Sequence, residues 1–226
     1  KTGGGIDPCG SIQSSFNLKA FEEREIVILL GQGNNEAHAL ELAALYKDSN
    51  KVEEAFNEVK AYWDQMLGAL TITTPDESMN MLVNRWLLYQ TLSCRIWARS
   101  AFYQSGGAFG YRDQLQDVMA MVFSDPKITR DQIKLAASRQ FPEGDVQHWW
   151  HPPTGRGVRT RFSDDLLWLP FVVNYYTEVT GDYSILDEIE PFIETPVLTE
   201  GHDETYTQPT VSEEKASIFE HCLRTI

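Results

Sequence analysis

A polar segment held between two apolar segments limits how this chain can fold. Residues 110–117 read Gly-Tyr-Arg-Asp-Gln-Leu-Gln-Asp, and a glycine-containing loop at residues 106–110 leads into them. An apolar helical pattern ends before this loop, and the apolar run 118–123 follows the polar segment. Polar side chains in such a position form either the solvated start of a helix or one wall of a polar pocket.

Composition limits the kinds of partner. The 226 residues are 42% hydrophobic, which allows a sizeable core, and they carry a formal net charge of −14. This acidity argues against nucleic acid and against contact with an anionic membrane, because both need a basic face. It is compatible with a neutral polar substrate, although acidity also keeps a protein soluble. No stretch is long and apolar enough to span a membrane.

The cysteines bear on the cellular compartment. Cys9, Cys94 and Cys222 are odd in number, far apart and without the spacing of metal ligands. We therefore expect reduced, structural thiols and a cytoplasmic location, and no metal site. A longer parent protein could still carry a membrane anchor elsewhere.

The first 33 residues carry a β pattern. Residues 25–30 form a short apolar run with β-branched residues, ended by Gly-Gln-Gly. Two strands cannot form a domain alone, so we interpret residues 1–33 as the last strands of a β-domain. Residues 34–73 are predicted to be a helical linker, and residues 74–226 a helical domain. Neither end has the features of a natural terminus, so we expect a segment of a larger protein.

Helical periodicity dominates after residue 35. Thr74, Pro75 and Glu77 combine an N-cap, a first-turn proline and a capping box, and they predict a long, deeply packed helix that reaches about residue 102. Thr129 is predicted to open another helix in the same way. The helices expected elsewhere are at residues 37–46, 52–67, 113–123, 129–139, 166–179 and 183–193, with a last one from Ser212.

The connections between these helices are alternately long and short. The long connections carry most of the aromatic and charged residues. Paired helices with functional loops gathered at one end favour an α/α toroid over a four-helix bundle.

The polar segment is the first candidate site. Asp113 and Asp117 are four residues apart and should share one helix face. Adjacent sugar hydroxyls need both donors and acceptors, which Arg112 and the two carboxylates supply. In the alternative interpretation, the acids only stabilise the helix N-terminus while Arg112 forms a salt bridge.

The second candidate is the segment 147–151, Gln-His-Trp-Trp-His, within a predicted long loop. Trp faces pack on the apolar faces of pyranose rings, and His gives a directional hydrogen bond. A zinc site would need further ligands than two histidines three residues apart. The alternative is a loop that plugs the core.

Three arginines form the third candidate. Arg156, Arg159 and Arg161 could bind phosphate or order carboxylates. We favour the alternative, an ion-pair network with Asp164 and Asp165 at the start of the next helix. The sequence has no nucleotide-binding loop with its lysine and no nucleophile elbow.

Three motifs in this order resemble glycoside hydrolase family 94, the inverting β-glucoside phosphorylases. They are residues 110–117, Gly-Asp-Val-Gln-His-Trp-Trp-His-Pro at 144–152 and Ser-Asp-Asp-Leu-Leu-Trp-Leu-Pro at 163–170. The glycine loop is most similar to the family-94 domain of cyclic β-1,2-glucan synthases. The resemblance implies the tail of a β-sandwich, a helical linker and the first part of an (α/α)6 barrel, a six-hairpin toroid.

The resemblance also implies a reaction. Inorganic phosphate, the co-substrate, would displace the leaving group of β-1,2-glucan or a related β-glucoside with inversion and release glucose 1-phosphate. One carboxylic acid would protonate the leaving oxygen, and no other cofactor is needed. The family's acid lies in a Gly-Asp-Trp-Asn-Asp-Gly motif that this sequence lacks. We expect that motif downstream of Ile226, and we expect the chain alone to be inactive.

Site residues follow from the same resemblance. Arg112 and Asp113 match positions that hold the non-reducing glucosyl unit, and Asp117 is a further candidate for that role. The remaining pocket candidates, without assigned roles, are Tyr111, His148, Trp150 and Arg161.

Two alternatives stay open. Several family members carry an arginine in the glycine loop that helps to bind phosphate, whereas this sequence has Gly-Gly-Ala-Phe at residues 106–109. That departure is compatible with a non-catalytic glucan-binding or length-sensing module of a synthase. An inverting hydrolase on the same barrel would use water, with Asp164, Asp165 or a downstream acid as the base.

Overall fold

The computed structural model describes residue 5 and residues 9–101, 104–105 and 107–226. Contacts divide the chain into two units, Lys1–Val59 and Lys60–Ile226. Within the described residues, no helix combines the length and apolar character needed to cross a lipid bilayer.

Helices account for most of the regular structure, in agreement with the predicted mainly α class. The α-helices are α1 (Glu36–Leu45), α2 (Ser49–Gly68), α3 (Glu77–Met81), α4 (Leu87–Gln90), α5 (Tyr111–Val118), α6 (Pro126–Ala137), α7 (Trp168–Thr180) and α8 (Ile218–Arg224). The strands are β1 (Ser100–Ala101), β2 (Gln104–Ser105), β3 (Phe109–Gly110), β4 (Gln147–His151), β5 (Arg156–Thr160), β6 (Ile189–Glu194), β7 (Glu204–Thr207) and β8 (Thr210–Ser217). Shorter 3-10 or π-helical turns lie at Leu82–Trp86, Thr91–Ile96, Met119–Met121, Asp165–Leu167 and Tyr183–Asp187.

The first unit contains α1 and the beginning of α2. The Asn35 side chain accepts a hydrogen bond from the His38 N–H and so caps α1. Helix α1 therefore begins one residue before the helix predicted at 37–46. Residues 9–33, by contrast, contain no helix or strand. The structure thus differs from the strand predicted at 25–30, whose Leu30 side chain is fully exposed. A strand needs a neighbour to pair its N–H and C=O groups, and no described strand lies beside this run.

The long helix predicted from Thr74 is shorter and interrupted. Its N-cap is Asp76, which accepts from the N–H groups of Ser78 and Met79, so the cap prediction at Thr74 was wrong by two residues. Helical structure ends at Ile96 rather than near residue 102. The interruption lies at Asn84, whose side chain bonds both the N–H and the C=O of Ile72 at 2.8 and 2.9 Å.

The predicted deep packing of this segment holds only for its second half. Leu92 and Ile96 are buried, whereas Leu82, Trp86 and Trp97 are about half exposed. The wide apolar arc predicted burial, but burial also requires a neighbouring element to cover every part of the arc.

The core of the second unit lies among α5, α6, α7 and α8. Leu115, Ile133, Leu169 and Ile218, one from each helix, are fully buried. Gly181 ends α7 in the left-handed conformation, close to the predicted end of this helix at residue 179.

Helix α6 begins three residues earlier than predicted. Asp125 caps it by accepting from the Lys127 N–H, and Pro126 occupies the first turn. Thr129, the predicted cap, is instead buried within the helix, where its hydroxyl donates to the Val118 carbonyl at 3.1 Å. A single capping-box pattern therefore does not locate a helix start when an Asp-Pro pair precedes it.

Three segments predicted as loop or helix are strands. Residues 147–151 form β4, in the antiparallel sheet of order β3-β4-β5-β7. Residues 183–193 form a 3-10 turn and then β6, because an α-helix would place Pro191 in its interior at the loss of a hydrogen bond. Ser212 lies in β8, which pairs with β6, and the last helix begins after its cap Ser217.

Candidate functional site

A surface cavity of about 550 Å³ lies where the sheet meets the N-terminus of α5. The side chains and backbone of three sequence-distant segments form its wall. The lining residues are Arg99, Ala108, Gly110, Tyr111, Arg112, Asp113, His148, Trp149, His151 and Asp165. The cavity therefore brings together four of the seven candidates, namely Tyr111, Arg112, Asp113 and His148.

The register of the sheet creates the space. Gly110 of β3 lies opposite Trp149 of β4, which lies opposite Val158 of β5. Because Gly110 has no side chain, the face beside Trp149 stays open. A Cβ atom on Gly110 would stand 2.7 Å from Oδ2 of Asp113, so glycine also leaves room for that carboxylate.

A β-bulge explains why two consecutive residues of β4 reach the same cavity. Gln147 pairs with Arg159 and Trp149 pairs with Val158, so His148 is an extra residue in its strand. The bulge turns both His148 and Trp149 towards the cavity. Trp150 points to the opposite face and is buried, packing edge-on against Phe109 with ring centroids 6.2 Å apart.

Charged groups link the cavity to the helix behind it. Nη2 of Arg99 donates to Oδ2 of Asp113 at 2.8 Å, and Nη1 lies 3.9 Å from Oδ2 of Asp117. Arg95 donates through Nε to the same Asp117 oxygen at 2.7 Å. Asp113 and Asp117 therefore share one helix face as predicted, but Asp117 lies behind the cavity wall and Asp113 within it.

Arg112 is only loosely held. Its Nε lies 3.8 Å from Oδ1 of Asp113, and almost half of its side chain is exposed. The contact is an ion pair that is too long for a hydrogen bond, so the alternative in which Arg112 forms a salt bridge stays open. The exposed Arg112 side chain can turn towards a ligand, whereas Asp113 is held by Arg99.

His148 has a fixed orientation and a shifted pKa. Its Nδ1 lies 2.5 Å from Oδ2 of Asp165, which is nearly buried. The hydrogen bond with Asp165 raises the pKa of His148, burial opposes this, and the negative charges of Asp165, Asp113 and Asp164 add to the rise. His148 lines the cavity, and its ring lies 4.8 Å from that of Phe162.

Tyr111 forms the floor of the cavity. It is buried, and among the described residues its hydroxyl has no hydrogen-bond partner. Burial raises the pKa of Tyr111 well above its ordinary value, with a smaller contribution from Cys222 and Asp165. The hydroxyl oxygen itself is buried, so it is not exposed to the cavity in this structure.

The structure does not bring Trp150 or Arg161 to the cavity. Arg161 instead donates to the backbone carbonyls of Leu198, Thr199 and His202, and so holds a surface loop.

The favoured ion pairs of the third motif are also not the observed ones. Arg159 is buried and pairs with Asp145 and Glu143, while Asp165 pairs with His148. The arginines were expected to pair with the acids nearest in sequence, whereas the sheet places Arg159 beside residues 143–145.

Sequence reasoning missed Arg99. It placed Trp149 and His151 in a candidate segment and Asp165 among the possible bases, but it did not select these three as binding residues. Arg99 and Arg95 are four residues apart, and their spacing could have suggested a pair facing Asp113 and Asp117. The choice of Trp149 over Trp150 had no local signal, because it depends on the bulge and on the register of β4.

Comparisons with known proteins agree with the resemblance. A family model described as the glycosyl hydrolase 94 superfamily, catalytic domain, matches residues 62–226. A second model, the glycosyl hydrolase 94 supersandwich domain, matches residues 1–49. Together the two matches cover most of the chain.

Named proteins with similar sequences agree with the family match. The chain is 45% identical over 222 residues to the cyclic beta-(1,2)-glucan synthase NdvB of Rhizobium meliloti (strain 1021), covering 97% of this chain and 8% of that protein. It is 30% identical over 213 residues to an N,N'-diacetylchitobiose phosphorylase of Vibrio furnissii, covering 81% of this chain and 26% of the relative. It is 28% identical over 188 residues to a solabiose phosphorylase of Paenibacillus borealis, covering 83% and 23%.

The chain thus spans less than a tenth of the synthase and about a quarter of each phosphorylase. The catalytic-domain match, which covers well over half of the chain, nevertheless settles its family. The chain belongs to glycosyl hydrolase family 94.

Proposed function

We propose that this chain supplies the glucosyl-binding wall of an enzyme that phosphorolyses β-1,2-glucan or related β-glucosides with inversion and releases glucose 1-phosphate. The observation that carries this proposal is the meeting of Arg99, Arg112, Asp113 and His148 in one cavity beside the face of Trp149. The named relatives, a β-1,2-glucan synthase and two disaccharide phosphorylases, support this substrate class.

Asp113 and Arg112 are the groups that would hold the sugar. A carboxylate accepts from two adjacent hydroxyls, and a guanidinium donates to a neighbouring oxygen in a fixed plane. Arg99 already donates to Oδ2 of Asp113, so this carboxylate is held in one orientation before a sugar arrives. Tyr111 would line the site beside these groups.

Phosphate would approach on the side of the arginines. Arg99 lines the cavity and holds Asp113 through Nη2, while its Nη1 is buried 3.9 Å from Oδ2 of Asp117. Guanidinium groups attract anions, and the partly exposed Arg112 adds a second positive charge to the same cavity. Arg99 thus supplies a cation at the cavity that the glycine loop at 106–109 does not. We propose phosphate as the co-substrate, without a further cofactor.

The leaving-group acid belongs to a Gly-Asp-Trp-Asn-Asp-Gly motif in the family, which this sequence lacks. We therefore propose that the chain works within a longer, cytoplasmically exposed protein, where residues 74–226 form the first part of an (α/α)6 barrel. The 226 residues alone should bind glucan without cleaving it.

The test uses the full-length protein that carries this chain. Linear β-1,2-glucan is incubated with and without inorganic phosphate, and glucose 1-phosphate is assayed. We expect phosphate-dependent release that Asp113→Asn reduces at least tenfold, since one hydrogen-bonding charge is lost. Asp131→Asn is the matched control, because Asp131 is an exposed acid on α6 that pairs with Lys127 at the surface. Shortening of the glucan without phosphate would contradict phosphorolysis and indicate hydrolysis.

A second function is favoured by the glycine loop, in which residues 106–109 lack the arginine that several family members use for phosphate. The segment would then be a non-catalytic glucan-binding or length-sensing module of a synthase. Glucan binding that Asp113→Asn weakens, without any turnover of the full-length protein, would support this function over phosphorolysis.

A further inference from the structure

A cluster of aromatic side chains continues from the cavity across the sheet. We call Trp149, His151, Arg156 and Tyr206 the aromatic platform. The Trp149 ring lies 5.5 Å from that of Tyr206 and 5.2 Å from that of His151. The Arg156 guanidinium lies over the Tyr206 ring at 4.8 Å.

The sheet itself holds this platform. Trp149 pairs with Val158, which pairs with Tyr206, so the three side chains stand in one row on the same face. Val158, which stands between them in the row, is buried, and the rings of Trp149 and Tyr206 lie 5.5 Å apart. The rings are therefore fixed by strands rather than by a mobile loop, and this lowers the entropy cost of binding.

Part of the aromatic platform is exposed to solvent, unlike the side chains of a protein core. The Tyr206 side chain is 47% exposed, and Arg156 is exposed as well. A large aromatic ring left half open on a rigid strand is an available contact surface.

The platform and the cavity share a wall. Trp149 and His151 line the cavity and also belong to the platform. The row from Gly110 through Trp149 and Val158 to Tyr206 crosses three strand intervals, about 14 Å in total. That length exceeds one sugar ring, so a chain with one unit in the cavity can extend over Tyr206.

Charge and chemistry select the occupant. Aromatic rings with a nearby arginine also suit single-stranded nucleic acid, but such binders need a basic groove along the phosphates. The chain carries a net charge of −14, which disfavours binding of a polyanion and is compatible with a neutral ligand. Sugar rings offer apolar C–H faces to aromatic rings and hydroxyls to His151 and Arg156.

We infer that the aromatic platform is a second sugar subsite, which binds the glucosyl units of a β-1,2-glucan chain that follow the unit held in the cavity. This inference rests on the proposed function of the cavity. It adds that affinity depends on chain length, and that Tyr206 acts only on ligands longer than the cavity holds.

The experiment measures binding by the 226-residue chain. Isothermal titration calorimetry is performed with glucose, the β-1,2-linked disaccharide and linear β-1,2-glucan oligosaccharides of increasing length. Tyr206→Ala should weaken binding of the long oligosaccharides about fivefold, the loss expected for one aromatic contact, and leave glucose binding unchanged. Tyr206→Phe, which keeps the ring, should retain the wild-type affinities. Tyr183→Ala is the matched control, because Tyr183 is also exposed but lies outside the platform.

The outcomes separate the two proposals. Unchanged affinity of Tyr206→Ala at every length, with binding still lost in Asp113→Asn, would overturn the platform and leave the cavity in place. Length-dependent loss in Tyr206→Ala, with no effect of Asp113→Asn, would support the platform and contradict the proposed role of the cavity. An equal loss for glucose and for long chains in Tyr206→Ala would overturn the second subsite. Circular dichroism of each variant checks that the fold is retained.

Discussion

Nδ1 of His148 lies 2.5 Å from Oδ2 of Asp165, and this contact joins β4 to the segment before α7 at the wall of the cavity. Asp165 is nearly buried, whereas about a third of the His148 side chain is exposed. The hydrogen bond favours the protonated imidazole, so the pKa of His148 is raised above its ordinary value of 6.5. The charge beside the candidate sugar site therefore changes at a pH above 6.5.

The first prediction concerns this pair. Because the folded-state pKa of His148 is raised, its contribution to stability is fully present below pH 6.5 and is lost as the pH rises through the raised pKa. Thermal unfolding of wild type and His148→Gln is compared from about pH 5.5 to about pH 8.5. The difference in Tm should be largest at the acid end and should shrink with rising pH.

Asp165→Asn serves as the check on this prediction. It removes the negative partner, so adding His148→Gln to it should change Tm by an amount that no longer varies with pH. His221 is buried and its pKa is lowered by desolvation, but it is present in every variant and cancels in the differences. If the difference in Tm between wild type and His148→Gln were the same at every pH, the His148–Asp165 pair would not titrate in this range.

The second prediction tests the fit of Gly110 against Asp113. A Cβ atom at residue 110 would lie 2.7 Å from the Asp113 carboxylate, while the Gly110 φ of −85° suits alanine. Gly110→Ala should therefore displace the carboxylate without unfolding the chain. We expect a loss of glucan affinity of about tenfold, similar to that of Asp113→Asn.

Gly68→Ala is the control for Gly110→Ala. Gly68 lies at the end of α2, and a Cβ atom there would have no described atom within 4 Å. Glucan affinity should be unchanged in this variant. Wild-type affinity in Gly110→Ala would contradict the placement of Asp113 in the sugar site.

Local sequence patterns correctly predicted features that depend on a single helix, such as its position and which residues share a face. The spacing of Asp113 and Asp117 predicted a shared face, and both acids indeed lie near Arg99. Helices α1, α2 and α7 were predicted because helical periodicity is a local signal of the sequence.

Contacts between distant segments could not be predicted in the same way. The cavity exists because Gly110 pairs with Trp149, and nothing near either residue specifies that register. The bulge at His148 decides that Trp149 rather than Trp150 faces the cavity. Asn84 interrupts an apolar helical pattern because its side chain bonds the Ile72 backbone, a partner twelve residues away.

The third prediction concerns stability away from the cavity. Arg159 is buried over the Phe141 ring and donates to Asp145 at 2.7 and 2.6 Å and to Glu143 at 3.0 Å. Arg159→Ala would leave a carboxylate partly buried without its partner. We expect the free energy of unfolding to fall by about 3 kcal/mol, measured by urea denaturation. Lys127→Ala, which removes an exposed ion pair with Asp131, should cost less than about 0.5 kcal/mol.

The matched arginine for this test is Arg161. Its described side-chain hydrogen bonds go to backbone carbonyls of a surface loop, so Arg161→Ala should lower the free energy of unfolding by about 1 kcal/mol. If Arg159→Ala and Arg161→Ala lowered the free energy of unfolding equally, the charges of Asp145 and Glu143 would add no stability beyond the hydrogen bonds of Arg159.

The last prediction separates the two acids of α5, both of which the resemblance assigns to the glucosyl unit. Asp117 accepts from Arg95 and lies behind the wall, whereas Asp113 lines the cavity. Asp117→Asn should lower the free energy of unfolding by about 1 kcal/mol, because the ion pair is partly exposed. Its glucan affinity should stay within about twofold of wild type, against a tenfold loss in Asp113→Asn. Calorimetry and urea denaturation of both variants give the comparison.

If Asp117→Asn instead lost glucan binding while keeping wild-type stability, Asp117 would contact the sugar, and Arg99 would have to move to admit it.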